Sequence, residues 1–140
     1  MTDNVLEAVK AIIATLQDRK WSDHSEALLI SSQGKLAVYQ ASLSSMVADA
    51  NQIYLTEDAN YEFKKAELFL KFREEGMTIE EARCNARVEI AFNSKNYIEA
   101  RRTYEGLKGL LSAVESTITS IQVTLRAINR EAGTAYAQNR

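Results

Sequence analysis

From Ala86 to Ala132 the chain holds one apolar register. Ala86, Ile90, Asn93, Tyr97, Ala100, Tyr104, Leu107, Leu111, Val114, Ile118, Ile121, Leu125, Ile128 and Ala132 fall at alternating spacings of four and three. A helix advances 3.6 residues per turn, so this alternation keeps one stripe on one face, and no strand can use it. A repeat sustained over more than six heptads predicts coiled-coil-like packing along a single uninterrupted helix from Thr78 to Ala132. The absence of proline and the five glycines agree with long helices.

The preceding residues set how that helix is met. Glu75-Gly76-Met77-Thr78 is a helix stop followed at once by a helix start. Gly76 suits the left-handed residue that closes a helix, and Thr78 with Glu81 makes a capping box. Helices joined this tightly run antiparallel. The arm before the turn, residues 23–75, reads as helix from His24 to Glu75, with Gly34 and residues 55–60 as its weak points. Its stripe runs Leu36, Tyr39, Leu43, Met46, Ala50 and Ile53, then slips by one position to Tyr54, Tyr61, Leu68 and Phe72, a stutter. Folding about 76–77 sets Leu43 opposite Leu111, and Asn60 and Tyr61 opposite Asn93, which would make one polar layer. An N-terminal helix, within residues 1–21, spans Asp3 to Lys20 with the stripe Val5, Leu6, Val9, Ile12, Ile13 and Leu16. Thr2 or Asp3 would cap it, and Arg19 and Lys20 would sit in its last turn. Trp21-Ser22-Asp23 connects it to the second helix, with Ser22 or Asp23 as cap. The second hairpin arm covers 78–133, with Gly133 ending it and 134–140 a frayed tail.

The expected fold is therefore all-α, one domain of 140 residues: an N-terminal helix and a long antiparallel hairpin that associates into an oligomeric bundle. Tyr97, Tyr104, Leu107, Leu111, Val114, Ile118, Ile121 and Leu125 are its expected hairpin and oligomer core. Gly106 and Gly109, three residues apart within the helix, are expected to admit the close approach of another helix.

Catalytic chemistry has few candidates. A zinc site needs several His or Cys ligands, and the chain has only His24 and Cys84. His24 lies among Ser22, Asp23 and Ser25, but neighbours in sequence do not make a triad, and an exposed capping segment is expected. Cys84 is expected as a small, half-buried helix residue. Tyr54, Tyr61, Tyr97 and Tyr104 lie on core-facing rows, so they are expected as core with hydroxyls reaching water. No enzyme activity, cofactor or metal is expected. Arg83, Arg87, Lys95, Arg101 and Arg102 form a basic ridge, with Lys64 and Lys65 on the facing arm, as candidate ligand or nucleic-acid contacts. Glutamates are interleaved throughout, and a net charge of −2 does not favour nucleic acid as partner. One cysteine, no run of about 18 apolar residues and no secretion signal point to the cytoplasm and away from membranes.

Tyr61-Glu62-Phe63-Lys64-Lys65-Ala66-Glu67, then Glu75-Gly76-Met77-Thr78, Glu81-Ala82, Tyr104, Leu107 and Leu125-Arg126 resemble small helical-hairpin proteins of tailed bacteriophages and prophages. In these a tyrosine- and lysine-bearing helix precedes a similar turn and a long helix ending in a Leu-Arg pair. Met77 stands where that pattern has a polar residue. The resemblance implies a phage accessory protein acting by binding. Its partner would be a host protein, such as a defence component, or another phage protein. The alternatives are an accessory factor that binds nucleic acid in phage replication or recombination, and an oligomeric sponge for a phosphate-bearing ligand.

Overall fold

The computed structural model describes residues 2–139, the side chain of Thr2 excepted. Among the described residues, four α-helices and one 3-10 turn follow in order: α1 Thr2–Gln17, a 3-10 turn Trp21–Asp23, α2 Glu26–Glu74, α3 Ile79–Phe92 and α4 Lys95–Gln138. No strand occurs among them. Backbone packing separates two compact units: residues 1–45 with 109–140, and residues 46–108.

The first unit takes its core from three helices. Val9, Ile13 and Leu16 of α1, Leu29, Leu36 and Leu43 of α2, and Val114 and Ile121 of α4 are buried. Each set follows three-, four- or seven-residue spacings, so each helix turns one stripe inward. A fully buried leucine contributes about 2–3 kcal/mol of transfer free energy, and Leu16, Leu29, Leu36 and Leu43 all have no exposure. Leu29 lies seven residues before Leu36, one heptad earlier than the stripe read from sequence. α1 stops at Gln17, short of Arg19 and Lys20, so neither cation lies in its last turn. Asp3 sits inside the first turn of α1 rather than before it, and the Thr2 side chain lies outside the described residues. The cap of α2 is Ser25, whose Oγ accepts from the Leu28 N–H at 3.2 Å, not Ser22 or Asp23. Those two residues belong to the 3-10 turn.

The second unit is an antiparallel hairpin. α2 runs without a break through 55–60, and through Gly34 in the first unit. Each glycine or polar residue costs a few tenths to about 1 kcal/mol of helix propensity, too little against the packing of a long helix. At its end Gly76 has φ +91°. The Met77 N–H donates to the Phe72 carbonyl and the Gly76 N–H to the Arg73 carbonyl, the two bonds of a Schellman stop. The Arg73 guanidinium adds a bond to the Met77 carbonyl at 2.6 Å. Thr78 and Glu81 then form the reciprocal capping box that starts α3.

The predicted uninterrupted helix from Thr78 to Ala132 does not form: α3 and α4 are separated at Asn93 and Ser94. The cause is local. The Asn93 N–H takes the Ile90 carbonyl and its Nδ2 takes the Glu89 carbonyl. Ser94 Oγ donates to the Ala91 carbonyl at 2.9 Å. Asn and Ser side chains thus satisfy the last carbonyls of α3 in place of the next turn's N–H groups. Asn93 is exposed, not a polar core layer, and Ser94 is the buried residue. Beyond the interruption, the positions Tyr97 to Ile128 of the repeat are all buried or half-buried. On α2 the stutter is real: Ile53 is 59% exposed while Ala50 is buried and Tyr54 half-buried. At the C-terminal end Gly133 does not end α4, which continues over the expected tail to Gln138.

Candidate functional site

The hairpin of residues 46–108 gathers the aromatic and cationic side chains that could recognise something. Tyr54 and Tyr61 stand seven apart on α2, and Tyr97 and Tyr104 seven apart on α4, so antiparallel helices bring the two pairs face to face. Tyr61 stacks on Tyr97 with centroids 4.6 Å apart. Tyr54 stacks on Tyr104 at 5.6 Å, nearly parallel, and also meets Tyr97 at 5.9 Å. Four rings thus form a continuous ladder, about one helical turn from the register set by the Gly76 turn. Lys65 lies over the Tyr61 ring at 5.5 Å and Lys108 over the Tyr104 ring at 5.8 Å, a cation at each end. The Tyr97 hydroxyl beside it, with some burial, raises the Tyr54 phenol above its usual range. Arg101 forms an ion pair with Glu105 at 3.1 Å, which raises the guanidinium further, and the phenols of Tyr97 and Tyr54 act in the same direction. The four rings are half-buried, and a small recess of about 40 Å³ opens beside Tyr61 and Tyr97.

The predicted basic ridge is divided. Arg83 and Arg87, four apart on α3, share one open recess of about 340 Å³ with Lys65 and Glu62 of α2. Phe69, Ala66 and Ala86 form its apolar lining. Lys65 is tied to Glu62 at 2.8 Å, so the two arginines are the cations not engaged by that carboxylate. Lys64 lines a different recess, with Glu67, Lys71, Glu89 and Asn93. Arg101 belongs with the tyrosines, and Lys95 and Arg102 are exposed without lining the arginine recess. Intervening carboxylates and the interruption at Asn93-Ser94 separate what a continuous helix would have aligned.

The eight residues expected in the hairpin and oligomer core differ in burial. Val114 and Ile121 are buried, and Tyr97, Tyr104, Leu107, Leu111, Ile118 and Leu125 are half-buried. They draw this burial from the chain's own helices. Gly106 and Gly109 are not close-approach sites, since a Cβ at either would meet nothing within 4 Å. Cys84 is exposed rather than half-buried. His24 is not an exposed capping residue: it is buried, and its Nε2 lies 2.7 Å from the Leu16 carbonyl. That carbonyl can only accept, so Nε2 carries the proton and closes the end of α1. No group of three His, Cys, Asp or Glu side chains suited to a metal ion occurs among the described residues. No described helix is long and apolar enough to cross a membrane.

Two apolar surfaces of the hairpin lie outside the expected stripes. On α2, Leu55, Phe63 and Leu70 are 57%, 66% and 60% exposed. At 100° per residue they lie roughly opposite Tyr54 and Tyr61. A shallow groove runs beside them from Ala48 to Asn60. On α3, Val88 and Phe92 stand four apart, and Phe92, left at the helix end by the interruption, is 85% exposed. The sequence signal for the α2 surface is a second apolar series, Leu55, Phe63 and Leu70, at spacings of eight and seven behind the first. No protein-family model, no curated protein and no solved structure matches the chain.

Proposed function

We propose that this chain is a non-catalytic helical protein that acts by binding another protein, with the hairpin of residues 46–108 as its recognition element. The observation that carries the reading is the pair of exposed apolar side chains on α3, Val88 and Phe92, one turn apart and 59% and 85% exposed. Isolated surface apolar residues are ordinary, but aligned large ones at helical spacing are the pattern of helix-docking surfaces. The resemblance to phage hairpin proteins directs the search to a protein of a bacterial host, a defence component among them. The test uses the immobilised chain in bacterial lysate, identification of retained proteins by mass spectrometry, and titration of each purified protein. Val88→Asp with Phe92→Asp is expected to weaken an authentic partner by about 30-fold, as loss of an apolar hot spot does. Retained proteins that bind this variant as well as the parent, or no retained protein, would refute the reading.

A second reading has its own observation: Arg83 and Arg87 beside the apolar lining of one recess. Two guanidinium groups in one recess with Phe69 and two alanines suit a phosphate-bearing small ligand. A thermal-shift series with nucleotide second messengers tests it, since binding to the folded state alone raises the melting temperature. A shift that persists in Arg87→Ala would place the ligand elsewhere.

A further inference from the structure

We infer that the outward face of α2 pairs with the same face of a second copy of this chain, antiparallel, about a two-fold axis at Ala59. The face consists of Ala48, Gln52, Leu55, Phe63, Ala66 and Leu70, with Ala59 at its midpoint. The spacings outward from Ala59 are four, three and four in both directions. A two-fold axis requires one patch to complement itself, and only a spacing that reads the same both ways keeps every layer aligned when a helix meets its own reverse. With the axis at Ala59, Leu55 meets Phe63 of the second copy, Gln52 meets its Ala66, and Ala48 meets its Leu70.

The sizes fit as well as the spacing. Small Ala48 receives large Leu70, while Ala59 against Ala59 lets the helices approach closely at the axis. The two Leu55–Phe63 layers on either side supply the apolar contact. None of the seven face positions is charged, although α2 carries many charges on its flanks. All seven are exposed. Burying most of this face on both copies removes on the order of 1,000 Å² from water, the lower bound for a specific interface. The affinity expected of such a small interface is micromolar. A spacing that meets its own reverse, an uncharged face and an area at the size of a small dimer interface together select the second copy as the occupant. The surface belongs to the hairpin that the proposed function uses, but Val88 and Phe92 of α3 lie outside it. Host binding and self-pairing can therefore fail independently.

The experiment combines sedimentation equilibrium with cysteine cross-linking, on the full chain carrying Cys84→Ser, because the native thiol is exposed. The parent is expected to be dimeric at about 200 µM and to dissociate towards 1 µM. Phe63→Asp is expected to be monomeric throughout with unchanged helicity, since the side chain is already in solvent. Val88→Asp is expected to remain dimeric. Under mild oxidation Ala59→Cys should cross-link to itself. Leu70→Cys should not, because two copies of residue 70 would lie about 33 Å apart along the antiparallel pair. A monomer at about 200 µM, a dimer that survives Phe63→Asp, or Leu70→Cys cross-linking as readily as Ala59→Cys would each overturn the inference.

Discussion

Gly106→Ala and Gly109→Ala should both stabilise the chain, against the usual expectation that a G-x-x-G pair in a long helix marks helix contact. Both glycines lie inside α4, and a Cβ at either meets nothing within 4 Å. What remains is the conformational entropy that glycine loses in a helix, about 1 kcal/mol per residue relative to alanine. The two sites add, because neither new methyl touches a shared partner, so the double variant should gain about 2 kcal/mol. For a chain of 140 residues, each kcal/mol is worth roughly 4 °C in melting temperature. Gly76→Ala supplies the opposite sign in the same chain: its φ of +91° should cost alanine about 1–2 kcal/mol. Thermal and urea melts followed by far-ultraviolet circular dichroism, at fixed protein concentration, read the parent and all four variants. If alanine at 106 or 109 lowers the midpoint, some helix does pack on α4 there, and the reasoning from open space is wrong.

Four further outcomes follow from the packing. Leu43→Ala, at a position with no exposure, should cost about 3 kcal/mol in urea melts, whereas Val38→Ala on the same helix, 68% exposed, should change little. His24→Ala removes the donor to the Leu16 carbonyl and should cost about 1–2 kcal/mol by the same measurement. A double-mutant cycle on Tyr61→Leu and Tyr97→Leu should return a coupling of about 0.5–1.5 kcal/mol for rings 4.6 Å apart. Coupling near zero would mean that the ladder is only area burial. The Thr78 backbone N–H and hydroxyl hold the Glu81 carboxyl below its ordinary value of 4.5. A carboxylate lowered in the folded state stabilises above that value and stops doing so as pH falls through its folded value. The advantage of the parent over Glu81→Gln in melting temperature should therefore be full at neutral pH and vanish in acid. An advantage that grew on acidification would contradict the capping assignment.

The residues that local physics governs are legible in the amino-acid order alone. Gly76 as a left-handed stop and Thr78-x-x-Glu81 as a capping box each depend on backbone groups within five residues, and sequence spells out that neighbourhood. The heptad from Tyr97 to Ile128 is likewise a statement about one face of one helix, and every position in it is withdrawn from solvent. The seven-residue spacings of Tyr54 and Tyr61 and of Tyr97 and Tyr104 place each pair on a core-facing row, but the turn register set Tyr61 opposite Asn93, and only the packing brings it onto Tyr97. Asn93 is the exception among the local signals. At a heptad position it reads as core, but beside Ser94 its side chain caps α3, and two local side-chain bonds outweigh the register that a single polar residue could hold. Other features are decided only when distant segments meet. The Leu16 carbonyl reached by His24, the recess that takes Arg83 and Arg87 but not Arg102, and the open space around Gly106 and Gly109 all depend on what stands opposite. Two apolar series run along α2, and periodicity alone treats them alike. Tertiary packing covers the one that bears Tyr54 and Tyr61 and leaves the one that bears Phe63 in water, because a helix in a hairpin has only one neighbour to bury against.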